Sequence, residues 1–195
     1  MKEILRITIS LVVIFIAAGV IMGMVYKTTS PVKFQAEKKE KEEALKEMAP
    51  EATEPITKAG DWSNHGKNYE YFRATSSGKA IAYIASTAGK GYSSYIKMLI
   101  SLDTDMRVKG IKILGHGETP GLGDQIEEAP FLDQFKGKTF TQIILIKGET
   151  KENIQAISGA TISSRAVTNG VRDGVQLLAE KYGSGVKPAV SEVRK

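Results

Sequence analysis

The sequence predicts an α+β protein: an antiparallel sheet of hairpins with a packed C-terminal helix, preceded by one transmembrane helix and a helical stalk. Three observations carry this. An uncharged apolar run fills residues 7–26. Two pairs of β-forming runs follow, each pair split by turn residues. An apolar stripe at helical spacing then closes the body before Gly183. At roughly 100–200 residues per domain, 195 residues leave room for one globular body and its appendages.

Residues 7–26 match the about 20 apolar residues, or ~30 Å of helix, that cross a bilayer. The run is apolar on all faces, unlike an amphipathic surface helix. Thr8 and Ser10 can bond within the helix, while Tyr26 and Lys27 sit where interfacial anchors belong. A cleaved signal peptide would have a shorter apolar region ending at its small residues. Here Ala17, Ala18 and Gly19 are followed by more large apolar residues. Lys2 and Arg6 precede the span, and Lys27, Lys33, Lys38, Lys39 and Lys41 follow it. Charge alone therefore leaves the orientation open.

Residues 34–49 are rich in helix formers, with opposite charges at i,i+4 in Glu37/Lys41 and Glu42/Lys46. They read as a solvated stalk ended by Pro50 and Pro55, or as a partner-binding helix. The expected division is a short segment 1–6, a membrane helix 7–26, a stalk 27–59, a body 60–183 and a mobile tail 184–195. In the body, residues 69–75 and 79–87 flank Ser76-Ser77-Gly78 as a first hairpin. Residues 95–102 and 107–114 flank Asp103-Thr104-Asp105 as a second, and 141–147 reads as a further strand. Between them, residues 115–137 are irregular, with helical turns over 124–135 broken at Pro130. The final helix runs from about Ser163 to Tyr182, with Val167, Val171, Val175 and Leu178 on one face. Ser163 or Ser164 is its expected cap and Gly183 its stop. Gly170 and Gly174 predict close packing on the sheet.

Composition excludes several chemistries. With no cysteine there is no disulfide scaffold, thiolate nucleophile, iron–sulfur cluster or cysteine-ligated zinc. Two histidines cannot form a three-histidine zinc site. A net charge of +5 suits an anionic partner such as a phosphate group or membrane surface. There is no Lys/Arg stripe interleaved with aromatics, so nucleic acid is not an expected partner.

Two segments remain for function. Residues 157–164, ISGATISS, place small residues and the hydroxyls of Ser158, Thr161, Ser163 and Ser164 before a helix start. That combination suits a phosphate, although a plain helix cap has the same residues. It is neither a Walker A loop nor G-x-G-x-x-G. Residues 115–124, GHGETPGLGD, let the backbone approach a flat ligand, and Leu122 there has no element to bury it. A flexible surface loop is the other reading. Pairing Ser163 with His116 as a hydrolase lacks a nucleophile elbow.

ISGATISS preceded by ETPGLGD resembles the FMN-binding domain of the G subunit of Rnf-type electron-transport complexes. The C subunit of sodium-translocating NADH:quinone reductase is a close relative of that family. The resemblance covers residues 60–183, and the single amino-terminal anchor fits it. It implies FMN joined through its phosphate to Thr161, with Ser158, Gly159 and Ala160 completing the motif and Ser163 beside it. A flavin transferase would make the bond with FAD as donor. Glu118, Thr119 and Leu122 are the implied ring contacts. Lys147 is a candidate positive charge near the flavin, or a solvated strand-end lysine. The family's transferase recognition pattern has Asp six residues before the modified threonine, where this chain has Gln155. No catalytic role falls to His116, and Trp62 and His65 read as structural.

The resemblance further implies an electron-carrier subunit of a complex coupling ferredoxin–NAD electron transfer to sodium or proton translocation. Its body would lie outside the cytoplasm on a single-pass anchor, beside other membrane subunits. The rival readings are a quinone reductase C-type subunit, an anchored non-redox domain binding a phosphorylated ligand, and a scaffold subunit whose flavin motif has decayed.

Overall fold

The computed structural model describes residues 2–64 and 66–183. His65 and the tail 184–195 lie outside the described residues. The described residues divide into two compact units, with the boundary between Glu42 and Glu43.

The first unit is the greater part of one helix, α1 (Lys2–Met48), which runs through Pro31. Its side chains at Ile14, Phe15, Val20 and Ile21 are exposed, as they must be if lipid is their solvent. In hydrocarbon every polar group needs an internal partner. Thr8, Ser10 and Thr28 donate their hydroxyls to the carbonyls of Ile4, Arg6 and Met24, four residues back. The apolar run is long enough to cross a membrane.

The second unit is built on five antiparallel strands in chain order: β1 (Thr57–Asn64), β2 (Lys67–Ser76), β3 (Lys79–Lys90), β4 (Tyr95–Leu102) and β5 (Val108–Gly115). The two expected hairpins are β2–β3 and β4–β5. β1 has no counterpart among the expected strands. It pairs with β2 through Trp62↔Tyr69 and Thr57↔Arg73, with a bulge between Lys58 and Gly60. Its charged and glycine-containing sequence TKAGDWSN has no β-former run to announce it.

β4 shows why the sheet is covered on both faces. Ile96, Met98, Ile100 and Leu102 alternate onto one face and meet Val167, Val171, Val175 and Leu178 of the last helix, α3 (Thr161–Tyr182). Leu99 points the other way, into a smaller cluster of Phe72, Ala74, Ala82 and Ile84. Ala44, Leu45, Met48 and Ala49 cover that cluster. The last turns of α1 are therefore core of the folded unit.

Close packing of α3 is set by glycines, as expected. A Cβ at Gly174 would stand 2.6 Å from Ile100 Cδ1, and one at Gly89 on β3 would collide with the Ala166 carbonyl. α3 ends at Gly183, with Tyr182 stacked on Tyr83 at 4.1 Å.

After β5 the chain forms a 3-10 turn (Gly123–Glu127), the short helix α2 (Ala129–Leu132) and a second 3-10 turn (Asp133–Phe135). Pro130 sits near the α2 start, where its missing N–H costs nothing. The strand expected over 141–147 shrinks to β6 (Leu145–Ile146), paired in parallel with β7 (Ile154–Gln155). Local bonds hold the preceding residues in a turn. Gln142 accepts the Thr139 N–H on Oε1 at 3.1 Å, and Arg172 of α3 donates to the Ile143 carbonyl at 2.8 Å.

Candidate functional site

α3 begins at Thr161, with Ala160 in the cap position. Neither serine caps it. Both lie inside the first turn, with their hydroxyls directed elsewhere. Ser164 donates to the Ala160 carbonyl at 2.9 Å and accepts the Ile157 N–H at 3.1 Å, closing the preceding loop. Ser163 donates to Glu118 at 2.5 Å. An alanine cap has no oxygen to offer, so the first-turn N–H groups and the positive helix end are open to a ligand or solvent. Gly159, at φ +81°, makes the turn that brings the loop to this end.

The helix start opens into a cleft of about 470 Å³. Small-molecule sites span ~300–1,000 Å³. Its lining includes Tyr92, Glu118, Thr119, Leu122, Thr161 and Ile162. Gly123, Gly159, Ala160 and Ser163 complete the wall. Two loops far apart in sequence, around 118–123 and 159–163, thus meet at one cavity, joined by the β3–β4 turn at Tyr92. Of the implied site residues, Glu118, Thr119, Leu122, Gly159, Ala160, Thr161 and Ser163 line it. Ser158 and Lys147 are exposed and outside its lining. Tyr92 and Ile162 were missed. The signal for Tyr92 is an aromatic in a Gly-Ser turn, where a strand core cannot use it; it is 72% exposed.

Glu118 is the most constrained polar group of the site, at 5% exposed. It accepts N–H bonds from Tyr92, Ser93 and Ser94 at 3.0, 3.1 and 3.1 Å, besides the Ser163 hydroxyl. Burial pushes its pKa up, but the Ser163 hydroxyl and the three N–H groups outweigh burial and hold it below the ordinary carboxylate value. His116 accepts the Glu118 N–H on Nδ1 at 3.1 Å. Its Nε2 lies 3.0 Å from Glu127 Oε1. The ring shapes the loop. Trp62 donates its indole N–H to the Ser86 carbonyl at 3.1 Å. Gln155 is held through its backbone N–H, which donates to Gln134 Oε1 at 2.7 Å.

A cleft joining an open helix terminus, a hydroxyl at that terminus and apolar side walls suits a phosphate-bearing planar cofactor. The FMN-binding domain family matches residues 91–176, from the β3–β4 turn into α3. The fold is similar to that of Shewanella oneidensis NqrC, at a TM-score of 0.53 and 24% identity, over 67% of this chain and 71% of that one.

Relatives of nearly full length narrow the class. The G subunit of the proton-translocating ferredoxin:NAD(+) oxidoreductase complex of Clostridium ljungdahlii is 33% identical, over 93% of this chain and 95% of its own. The G subunit of the ion-translocating oxidoreductase complex of Methanosarcina acetivorans is 29% identical, over 93% of this chain and 98% of its own. The chain belongs to this family of G subunits: it is an FMN-binding electron-transport protein with an apolar N-terminal helix that fits a membrane anchor.

Proposed function

We propose that this chain carries FMN joined covalently to Thr161 and passes electrons within a complex that couples ferredoxin–NAD electron transfer to sodium or proton translocation. The single observation that carries this is the position of Thr161 at an uncapped helix start opening into the Tyr92–Leu122 cleft. The residues fit the group. The small residues Ser158, Gly159 and Ala160 leave the Thr161 hydroxyl approachable, and the helix end stabilises a phosphodiester by up to about 2 kcal/mol. Leu122 and Tyr92 offer apolar walls and Thr119 a polar one. Lys147, outside the cleft lining, contributes charge at most from a distance. FMN supplies one- and two-electron chemistry that the side chains here lack.

In maturation the Thr161 oxygen forms a bond to the FMN phosphorus of FAD on a flavin transferase. The pyrophosphate bond breaks, AMP leaves, and the hydroxyl proton passes to a base of the transferase. Residues 7–26 anchor the chain, and the body lies on the extracytoplasmic side beside other membrane subunits. Covalent attachment suits that side, where lost FMN is not readily replaced.

The test is intact mass and in-gel fluorescence of the denatured protein, expressed with and without a flavin transferase, beside Thr161→Ala. One transferase-dependent FMN that is absent from the mutant is expected. No adduct in any lane would favour a non-redox phosphate-ligand or scaffold role, with Gln155 as the trace of lost modification.

A further inference from the structure

We propose that Glu118 is a positioning residue of the flavin cleft, which fixes Tyr92 as a wall of the cleft against the first turn of α3 instead of touching the ring. This rests on the flavin reading above. Both carboxylate oxygens are committed to the protein. Oε2 takes the Tyr92 N–H and the Ser163 hydroxyl, and Oε1 takes the N–H groups of Ser93 and Ser94. One side chain thus ties together the β3–β4 turn, its own loop and the helix that presents Thr161.

Sterics give an independent support. A Cβ at Gly91 would stand 2.5 Å from Glu118 Oε1, and one at Gly123 would stand 2.7 Å from Glu118 Cβ. Real Cβ atoms essentially never come that close, so both glycines make room for Glu118. Part of the glycine content that suggests a flat ligand serves this carboxylate instead. Ser94 adds a second tie, because its hydroxyl oxygen accepts the Gly117 N–H at 2.6 Å. The Tyr92 side chain is 72% exposed, so its place on the cleft is governed by its backbone, and Glu118 holds that backbone.

The experiment uses the full chain in two arms. In the first, wild type, Glu118→Gln and Ser163→Ala are expressed with a flavin transferase, and iodide quenching of flavin fluorescence is measured per bound flavin. In the second, amide exchange is followed in a flavin-free Thr161→Ala background, alone and combined with Glu118→Gln or with Ser163→Ala. An amide side chain cannot accept all four donors. Exchange at Tyr92, Ser93 and Ser94 should quicken at least tenfold while β4 amides stay unchanged, and iodide quenching should rise at least twofold. Ser163→Ala should move both readouts less, in the same direction.

Unchanged exchange at the three amides would overturn the clamp. Faster exchange with unaltered quenching would overturn its role in shaping the flavin site. If Glu118→Gln loosens β4 as well, Ser163→Ala alone decides: no quickening at the three amides overturns the clamp, and quickening with unaltered quenching overturns its role in shaping the flavin site. Absence of covalent flavin from wild type would overturn the flavin reading, and the exchange arm would still decide the clamp.

Discussion

The two faces of the sheet are covered by helices of different kinds. On one face α3 buries a continuous stripe, and its first turn forms part of the cleft. On the other face the cover is the end of α1, contributing Ala44, Leu45 and Met48, with Ala49 just beyond it. The α3 face couples packing to the cleft: the residues that seat the helix also place Thr161 in its lining. The α1 face has no part in the cleft lining. Its ion pairs, Lys112–Glu47 at 2.9 Å and Lys109–Glu51 at 2.7 Å, are partly exposed and of small energetic weight. A helical stretch that looks solvated in sequence can therefore be core wherever a few of its residues turn inward together.

The comparison can be broken most directly by removing the α1 cover. Chains beginning at Glu43 and at Thr57, which keeps β1 whole, should differ by on the order of 5 kcal/mol in unfolding free energy, from the lost burial of Leu45, Met48 and their neighbours. Equal denaturant midpoints would show that the α1 end is not core. Leu178→Ala, on the α3 face, should cost about 2–5 kcal/mol and lower flavin incorporation as well. Leu45→Ala should cost about 2–3 kcal/mol and leave flavin per folded molecule unchanged. If incorporation, measured by absorbance against refoldable protein, falls equally in both, the two faces are not separable.

Acid provides a finer probe. The folded-state pKa of Glu118 lies below its ordinary 4.5, so its stabilisation is fully present above about that pH. It is lost as pH falls through the lowered value. Thermal midpoints should therefore drop more steeply below pH ~4 in wild type than in Glu118→Gln. Parallel curves would remove Glu118 from the account. The smallest effect expected is that of Lys147→Ala: no change in flavin incorporation and about 0.5 kcal/mol or less in stability, since the side chain is exposed and outside the cleft lining. A marked loss of flavin would bring Lys147 back to the site.

Much of this was legible in the residues. The apolar run, the two hairpins and the α3 stripe each repeat at their own period, and period is a local property. The ISGATISS and ETPGLGD motifs could be read through their joint resemblance to a known family, because small and hydroxyl residues before a helix by themselves fit a plain cap as well. β1 was not legible, because its residues are poor β-formers held by pairing with β2. The strand over 141–147 was over-read, because its β-formers are turned by Gln142 and Arg172, contacts that sequence spacing does not reveal.

The sequence by itself determined the apolar length that fits an anchor and the α+β class, since hydrophobic length and periodicity are local, and its resemblance to the G-subunit family singled out Thr161 as the proposed acceptor. Only the tertiary structure decided that the end of α1 is core, that Ser163 serves Glu118 rather than the helix start, and that Tyr92 faces the cleft. Those outcomes depend on hydrogen-bond donors and apolar faces brought together from distant parts of the chain. Local patterning cannot rank such pairings before folding places the partners side by side.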